Sequence, residues 1–158
     1  MSLTFADVVA PVTDLAAGDA LEDWRWLVGP DATPLLLTAL GNVFCELPGG
    51  EVALLDTYAP AFDVVAPDRE AWKEALRDAD TYGEWFLPGL VAAVRERGVL
   101  LGDGQCYSPR KPLVLGGQLE PDNLAASDWR VHLGMLGQIC EQVSKLPPGT
   151  KISGVRFA

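Results

Sequence analysis

The chain has 158 residues, 49% apolar and 22% charged, with a formal net charge of −10. That length and composition predict one folded domain spanning 1–158 and argue against disorder. No apolar run approaches the ~20 residues that span a bilayer, and the N-terminal MSLTFADVV lacks the basic-then-apolar pattern of a signal peptide. A cytoplasmic protein without membrane contact is therefore expected.

The charge is uneven. Residues 109–158 carry six Lys/Arg against four Asp/Glu, whereas residues 1–108 carry six bases and eighteen acids, a balance of −12. Such a field repels nucleic-acid phosphates and attracts cations or basic proteins. Solubility is the plainer reading of the same acidity.

In chain order, Phe5, Val8, Val9 and Val12 have helical spacing, but Pro11 should end any helix near Ala10. Asp19, with Glu22 three residues on, reads as a capping box for a short helix whose stripe is Leu21, Trp24, Leu27 and Val28. Gly29-Pro30-Asp31 stops it. Strand character follows at Pro34–Leu40, Asn42–Leu47, Glu51–Asp56 and Ala61–Ala66. Pro48-Gly49-Gly50 makes a hairpin signal, and the short connections favour an antiparallel meander.

Pro67-Asp68 opens a helix in which Ala71, Trp72, Ala75, Leu76 and Ala79 recur at helical spacing. Residues 82–97 continue in helical style, with Pro88 restarting a helix at its first turn and Gly98 stopping it. Leu113–Leu115 reads as a strand before the Gly116-Gly117 turn, and Asn123–Ser127 as an extended piece. Asp128 then caps a long helix near 128–145. Trp129, Leu133, Leu136, Cys140 and Val143 form its stripe, widened by Val131, Met135 and Ile139. Pro147-Pro148-Gly149 ends it, and Lys151–Phe157 is a candidate last strand.

Chemistry-bearing motifs are sparse. His132 has Leu136, not a ligand, at i+4, so no metal site is expected there; a hydrogen-bonded core histidine fits better. Cys45, Cys106 and Cys140 form an odd, widely spaced set without CxxC pairs, which reads as reduced thiols packed as small hydrophobes. Cys140 lies eight residues beyond His132 on one helix, about 12 Å along its axis, too far for a direct pair. There is no GxSxG elbow, phosphate loop or calcium loop. Trp24, Trp72 and Trp129 fall on predicted buried stripes; Trp26 and Trp85 do not and are candidates for exposure.

Several stretches carry a family likeness. They are Thr38–Phe44, Leu54-Leu55-Asp56, Gly104–Ser108, Leu115-Gly116-Gly117 with Asn123-Leu124, His132-Leu133, Gly137–Val143 and Leu146–Ile152. Over roughly residues 19–153 the chain resembles a bacterial family that includes type VI secretion immunity proteins against DNase toxins. Asn42 stands where that pattern favours aspartate, and Cys140 where histidine is common. The resemblance implies immunity and carries no catalytic residue set.

The expectation is an α+β domain, an antiparallel-dominated sheet of about four to six strands packed by helices. It would act as a non-enzymatic binding protein that occludes a basic toxin, with no cofactor and no nucleic-acid partner. Asp63, Glu70, Glu74, Asp78, Asp80 and Glu84 are the candidate partner-binding face, lying on or near one helix. The rival expectation is a ligand- or peptide-binding module with a cleft lined by Tyr107, Gly116, Gly117 and Asn123. A buried Cys–His pair would instead favour an enzyme.

Overall fold

The computed structural model describes residues 2–157. Its centre is an antiparallel meander of four strands, β1 (Thr33–Leu37), β2 (Val43–Glu46), β3 (Val52–Asp56) and β4 (Ala61–Ala66), paired in that order. The period-two alternation of a strand sorts side chains to the two faces. Val43, Cys45 and Leu55 enter one core, while Phe44, Val52 and Leu54 enter the other. The tight β2–β3 turn is closed by Gly50, at a φ of 94°, whose N–H donates to the Leu47 carbonyl at 2.9 Å.

A second, two-stranded antiparallel sheet pairs β5 (Gln105–Pro109) with β6 (Leu124–Asp128). The fold is thus α+β with every strand pair antiparallel, as expected, but its six strands divide between two sheets. β5 lies in a stretch for which the letters predict no element, whereas β6 lies one residue on from the extended piece expected at Asn123–Ser127. Leu113–Leu115 is a 3-10 turn and not a strand. The N–H groups of Gly116 and Gly117 turn back to the carbonyls of Leu113 and Pro112, both at 3.0 Å, so no extended partner is available to this segment.

One face of the meander is covered by a 3-10 turn at Glu22–Trp24, by α1 (Arg25–Val28) and by α5 (Trp129–Ser144). Asp128 caps α5 as expected, accepting from the N–H groups of Arg130 at 2.8 Å and Val131 at 3.1 Å. Trp129, Leu133, Leu136 and Cys140 are buried along its stripe, but Val131 is 57% exposed, because the packed arc is narrower than its apolar letters suggest. The 3-10 turn crosses α5 at Gly137, where an added Cβ would stand 2.5 Å from the Asp23 carbonyl oxygen. The indole N–H of Trp24 donates to the Leu133 carbonyl at 2.9 Å across the same contact. Gly137→Ala should lower stability by about 2 kcal/mol, read as a lower denaturant midpoint. An unchanged midpoint would mean that the crossing gives way freely.

The expected capping box at Asp19 does not form. Leu21 occupies the N-cap position, and Asp19 instead accepts from Leu21 N–H at 3.2 Å and pairs with Arg25 at 2.9 Å.

The other face carries α2 (Arg69–Ala75), α3 (Ala79–Phe86) and α4 (Pro88–Glu96). The helix expected to run from Asp68 to Ala79 breaks, because Asp78 serves as the N-cap of a new one. Its carboxylate accepts from Thr81 N–H at 2.9 Å and Thr81 Oγ1 at 2.8 Å. Leu87 separates α3 from α4 at a φ of 46°. The following Pro88 bars ordinary α geometry at Leu87 and supplies no N–H, so Pro88 starts α4 as expected.

Trp24, Trp72 and Trp129 are core residues. Trp26 and Trp85 are half-buried: Trp26 stacks on Trp24, and Trp85 meets the Phe44 ring edge-on at 5.2 Å. Residues 151–157 form no strand. The N–H of Arg156 donates to Gln142 Oε1 at 3.0 Å and its carbonyl accepts from Gln142 Nε2, so one side chain of α5 occupies both groups that a strand would offer.

Candidate functional site

All six predicted acidic residues are exposed, but they do not lie on one helix. Asp63 is on β4, Glu70 and Glu74 are on α2, Asp78 caps α3, and Asp80 and Glu84 are on α3. Their charges are not equally available. Glu70 stands 3.8 Å from Lys73 and Glu74 3.5 Å from Arg77, each pair one turn apart. Asp78 is engaged by Thr81, whose backbone N–H holds its carboxyl below the usual range. Asp63, Asp80 and Glu84 have no ion pair among the described residues. Asp80 and Glu84 are four residues apart and so share one face of α3.

The predicted cleft is not assembled. Tyr107 is fully buried, donating through its hydroxyl to the Val99 carbonyl at 2.7 Å and accepting at its own carbonyl from Tyr58 Oη at 3.0 Å. Gly116, Gly117 and Asn123 do come together, but they close a turn. Asn123 Oδ1 accepts from Lys111 N–H at 2.8 Å, while Nδ2 donates to the carbonyls of Lys111 and Gln118. A Cβ on Gly117 would sit 1.9 Å from the Lys111 carbonyl oxygen. The double glycine therefore serves close backbone approach, with no room for a ligand. A concavity of about 450 Å³ lies elsewhere, between Val114, Leu115 and the segment Thr150–Val155.

His132 is a titratable side chain in the interior of the molecule, with no exposed surface. Its Nδ1 is 2.7 Å from Ser108 Oγ, and its Nε2 is 3.1 Å from the Gly41 carbonyl and 3.2 Å from Thr57 Oγ1. A carbonyl only accepts, so Nε2 carries the proton and Nδ1 accepts from the Ser108 hydroxyl. Thr57 Oγ1 donates to Asn42 Oδ1 at 2.9 Å, and the same oxygen accepts from Thr57 N–H at 2.9 Å. Four segments meet here: the β1–β2 loop, the β3–β4 loop, β5 and α5. Burial pushes the imidazole pKa down to about 4, partly opposed by the Gly41 carbonyl. The ring is therefore neutral at pH 7. It is a core histidine, as expected, with more partners than the single one anticipated. Sequence reading missed the node because its members are 24, 75 and 91 residues apart. The available hint was Gly41 itself, within a Thr-Ala-Leu-Gly-Asn turn.

The cysteines do not complete a Cys–His pair; none is bonded to His132. All three are free and buried. Burial raises the Cys45 and Cys140 thiols to about 12 and Cys106 further, so none is a thiolate at neutral pH. No group of three or more His, Cys, Asp or Glu among the described residues is placed to hold a metal. No helix among them is long and apolar enough to cross a membrane.

The result is an α+β domain with a satisfied polar node around His132 and with exposed carboxylates outside any ion pair on β4 and α3. Residues 66–140, from the end of β4 to Cys140 of α5, match the family model described as T6SS immunity protein Tdi1, C-terminal. This match agrees with the family likeness of the sequence and supports an immunity-domain relationship for this region. No curated protein matches the chain. The match contains α2, α3, both strands of the small sheet and two node residues, Ser108 and His132. It leaves out most of the meander and the other node segments, around Gly41 and Thr57.

Proposed function

We propose that this protein is a cytoplasmic, non-enzymatic immunity protein that neutralises a secreted toxin by binding it directly. The observation that carries this is the immunity-family match over residues 66–140, which includes the exposed acidic helices α2 and α3. A nuclease toxin grips phosphates and so presents basic groups, and an acidic inhibitor gains association rate by electrostatic steering. The proposed docking face comprises Asp63, Glu70, Glu74, Asp78, Asp80 and Glu84. Asp63, Asp80 and Glu84 contribute most, since no intramolecular cation offsets them.

Co-expression with a secreted DNase toxin, sought first among the neighbouring genes, should restore growth if that toxin is the partner, and continued killing would reject immunity to that toxin. The double variant Asp80→Lys/Glu84→Lys should slow toxin association about tenfold at low salt and flatten its salt dependence. Reversal at Glu70 and Glu74 should do less, because Lys73 and Arg77 already offset those charges. An unchanged rate in the Asp80/Glu84 variant would remove α3 from the docking face.

A further inference from the structure

The two edges of the meander are treated differently. Beside β1, Val9 bridges Thr38, Ala10 N–H donates to the Leu37 carbonyl at 3.0 Å, and Ala39 N–H donates to the Val8 carbonyl at 2.7 Å. The N-terminal segment thus pairs with the C-terminal end of that edge. At β4, no backbone hydrogen bond among the described residues involves Ala61–Ala66 apart from the pairing with β3. Alternate N–H and C=O groups along β4 therefore face outward without a chain partner, a template for an added strand. Val64 is 58% exposed and Asp63 is exposed beside it.

We propose that the outer edge of β4, over Ala61–Val64, receives an extended, basic segment of the toxin by strand addition. This deepens the toxin-binding reading and rests on it. The register sets what the incoming strand meets. Asp63 pairs with Leu54 and Val64 with Ala53, so the two side chains stand on opposite faces of the sheet. An added strand meets a carboxylate on one face and an apolar group on the other, which suits alternating basic and apolar residues. The bulge that sets Val65 out of register ends the usable edge, since a bulge twists the strand away from a partner. The occupant is a basic partner and not a second copy of this chain. Two such copies, each at −10, would bring like charges to the seam, including both Asp63 carboxylates.

The test is amide hydrogen exchange on the full chain, alone and with a catalytically inactivated form of the toxin against which co-expression protects. Binding should slow the outward amides of Ala61–Val64 by about tenfold or more. Asp63→Lys should weaken toxin affinity about tenfold without changing the thermal midpoint. A stable complex with unchanged exchange at Ala61–Val64 overturns the edge assignment and leaves toxin binding intact. Failure of the toxin to bind overturns both. A homodimer that protects the same amides in the absence of toxin also overturns the assignment.

Discussion

Gly41→Ala should destabilise the protein by on the order of 4 kcal/mol, enough to unfold a marginal domain. Two independent penalties meet at this residue. Its φ of 84° lies where L side chains are disfavoured, which costs about 1 kcal/mol. Its missing Cβ also leaves the space into which the His132 ring fits: a methyl there would stand 2.1 Å from Nε2 and 2.6 Å from Cδ2. The ring cannot retreat, because Ser108 holds its other nitrogen and the residue is wholly buried. The two contributions separate in a double-mutant cycle. In a His132→Ala background, Gly41→Ala should cost only the backbone part, about 1 kcal/mol. Equal costs in both backgrounds would show that the ring does not occupy the space vacated by the missing side chain.

The second large effect is on pH dependence. His132 is the only histidine, so one imidazole signal reports it. Its folded pKa of about 4 lies below the ordinary 6.5, so the unfolded chain takes up its proton first as pH falls. The stability that this group contributes is complete above pH 6.5, declines between 6.5 and about 4, and is constant below that. The loss should be on the order of 3 kcal/mol across the window. Among the described residues no carboxylate partners the ring: its neighbours are the Ser108 and Thr57 hydroxyls, the Gly41 carbonyl and the tilted Tyr58 ring at 6.0 Å. Surface carboxylates titrate over part of the same range, so the measurement is a difference. Denaturant unfolding at pH 7.5 and 4.5, for the natural chain and for His132→Gln, isolates the histidine. The variant should start less stable and lose about 3 kcal/mol less on acidification. An imidazole that titrates near 6.5 in the folded protein would contradict the buried, neutral assignment.

Local signals made the meander legible. The proline-glycine turn at 48–50, the period-two runs of β2 and β3 and the short connections between strands leave little choice but antiparallel neighbours. Asp128 and the stripe from Trp129 to Cys140 did the same for α5. The misread segments were decided by distant groups. β5 has a proline at its end and mixed side chains, and it becomes a strand because β6 and the Ala39 carbonyl pair with it. Lys151–Phe157 alternates like a strand, but the Gln142 side chain takes the backbone groups of Arg156. At Asp78 a local signal was present and outweighed by a longer apolar spacing that ran through it.

The candidate surface was legible as composition and less so as geometry. The excess of acids before residue 109 is plain from the letters. Which of them retain unpaired charge depends on Lys73 and Arg77 lying one turn from Glu70 and Glu74, and on Asp78 being used as a cap. The cleft expectation failed for a related reason. Tyr107 is buried on β5, ahead of the glycine turn, and Asn123 uses both side-chain polar atoms to close that turn.

The central claim is inhibition by direct, stoichiometric binding. Its most direct measurement is a titration of the purified protein into a fixed amount of the active DNase toxin against which co-expression protects, with DNA cleavage as the readout. The account predicts that activity falls linearly and vanishes at a fixed stoichiometric ratio, with the toxin recovered chemically unchanged from the complex. Loss of toxin activity at a small fraction of that ratio, with the toxin altered covalently, would contradict it and point to an enzyme.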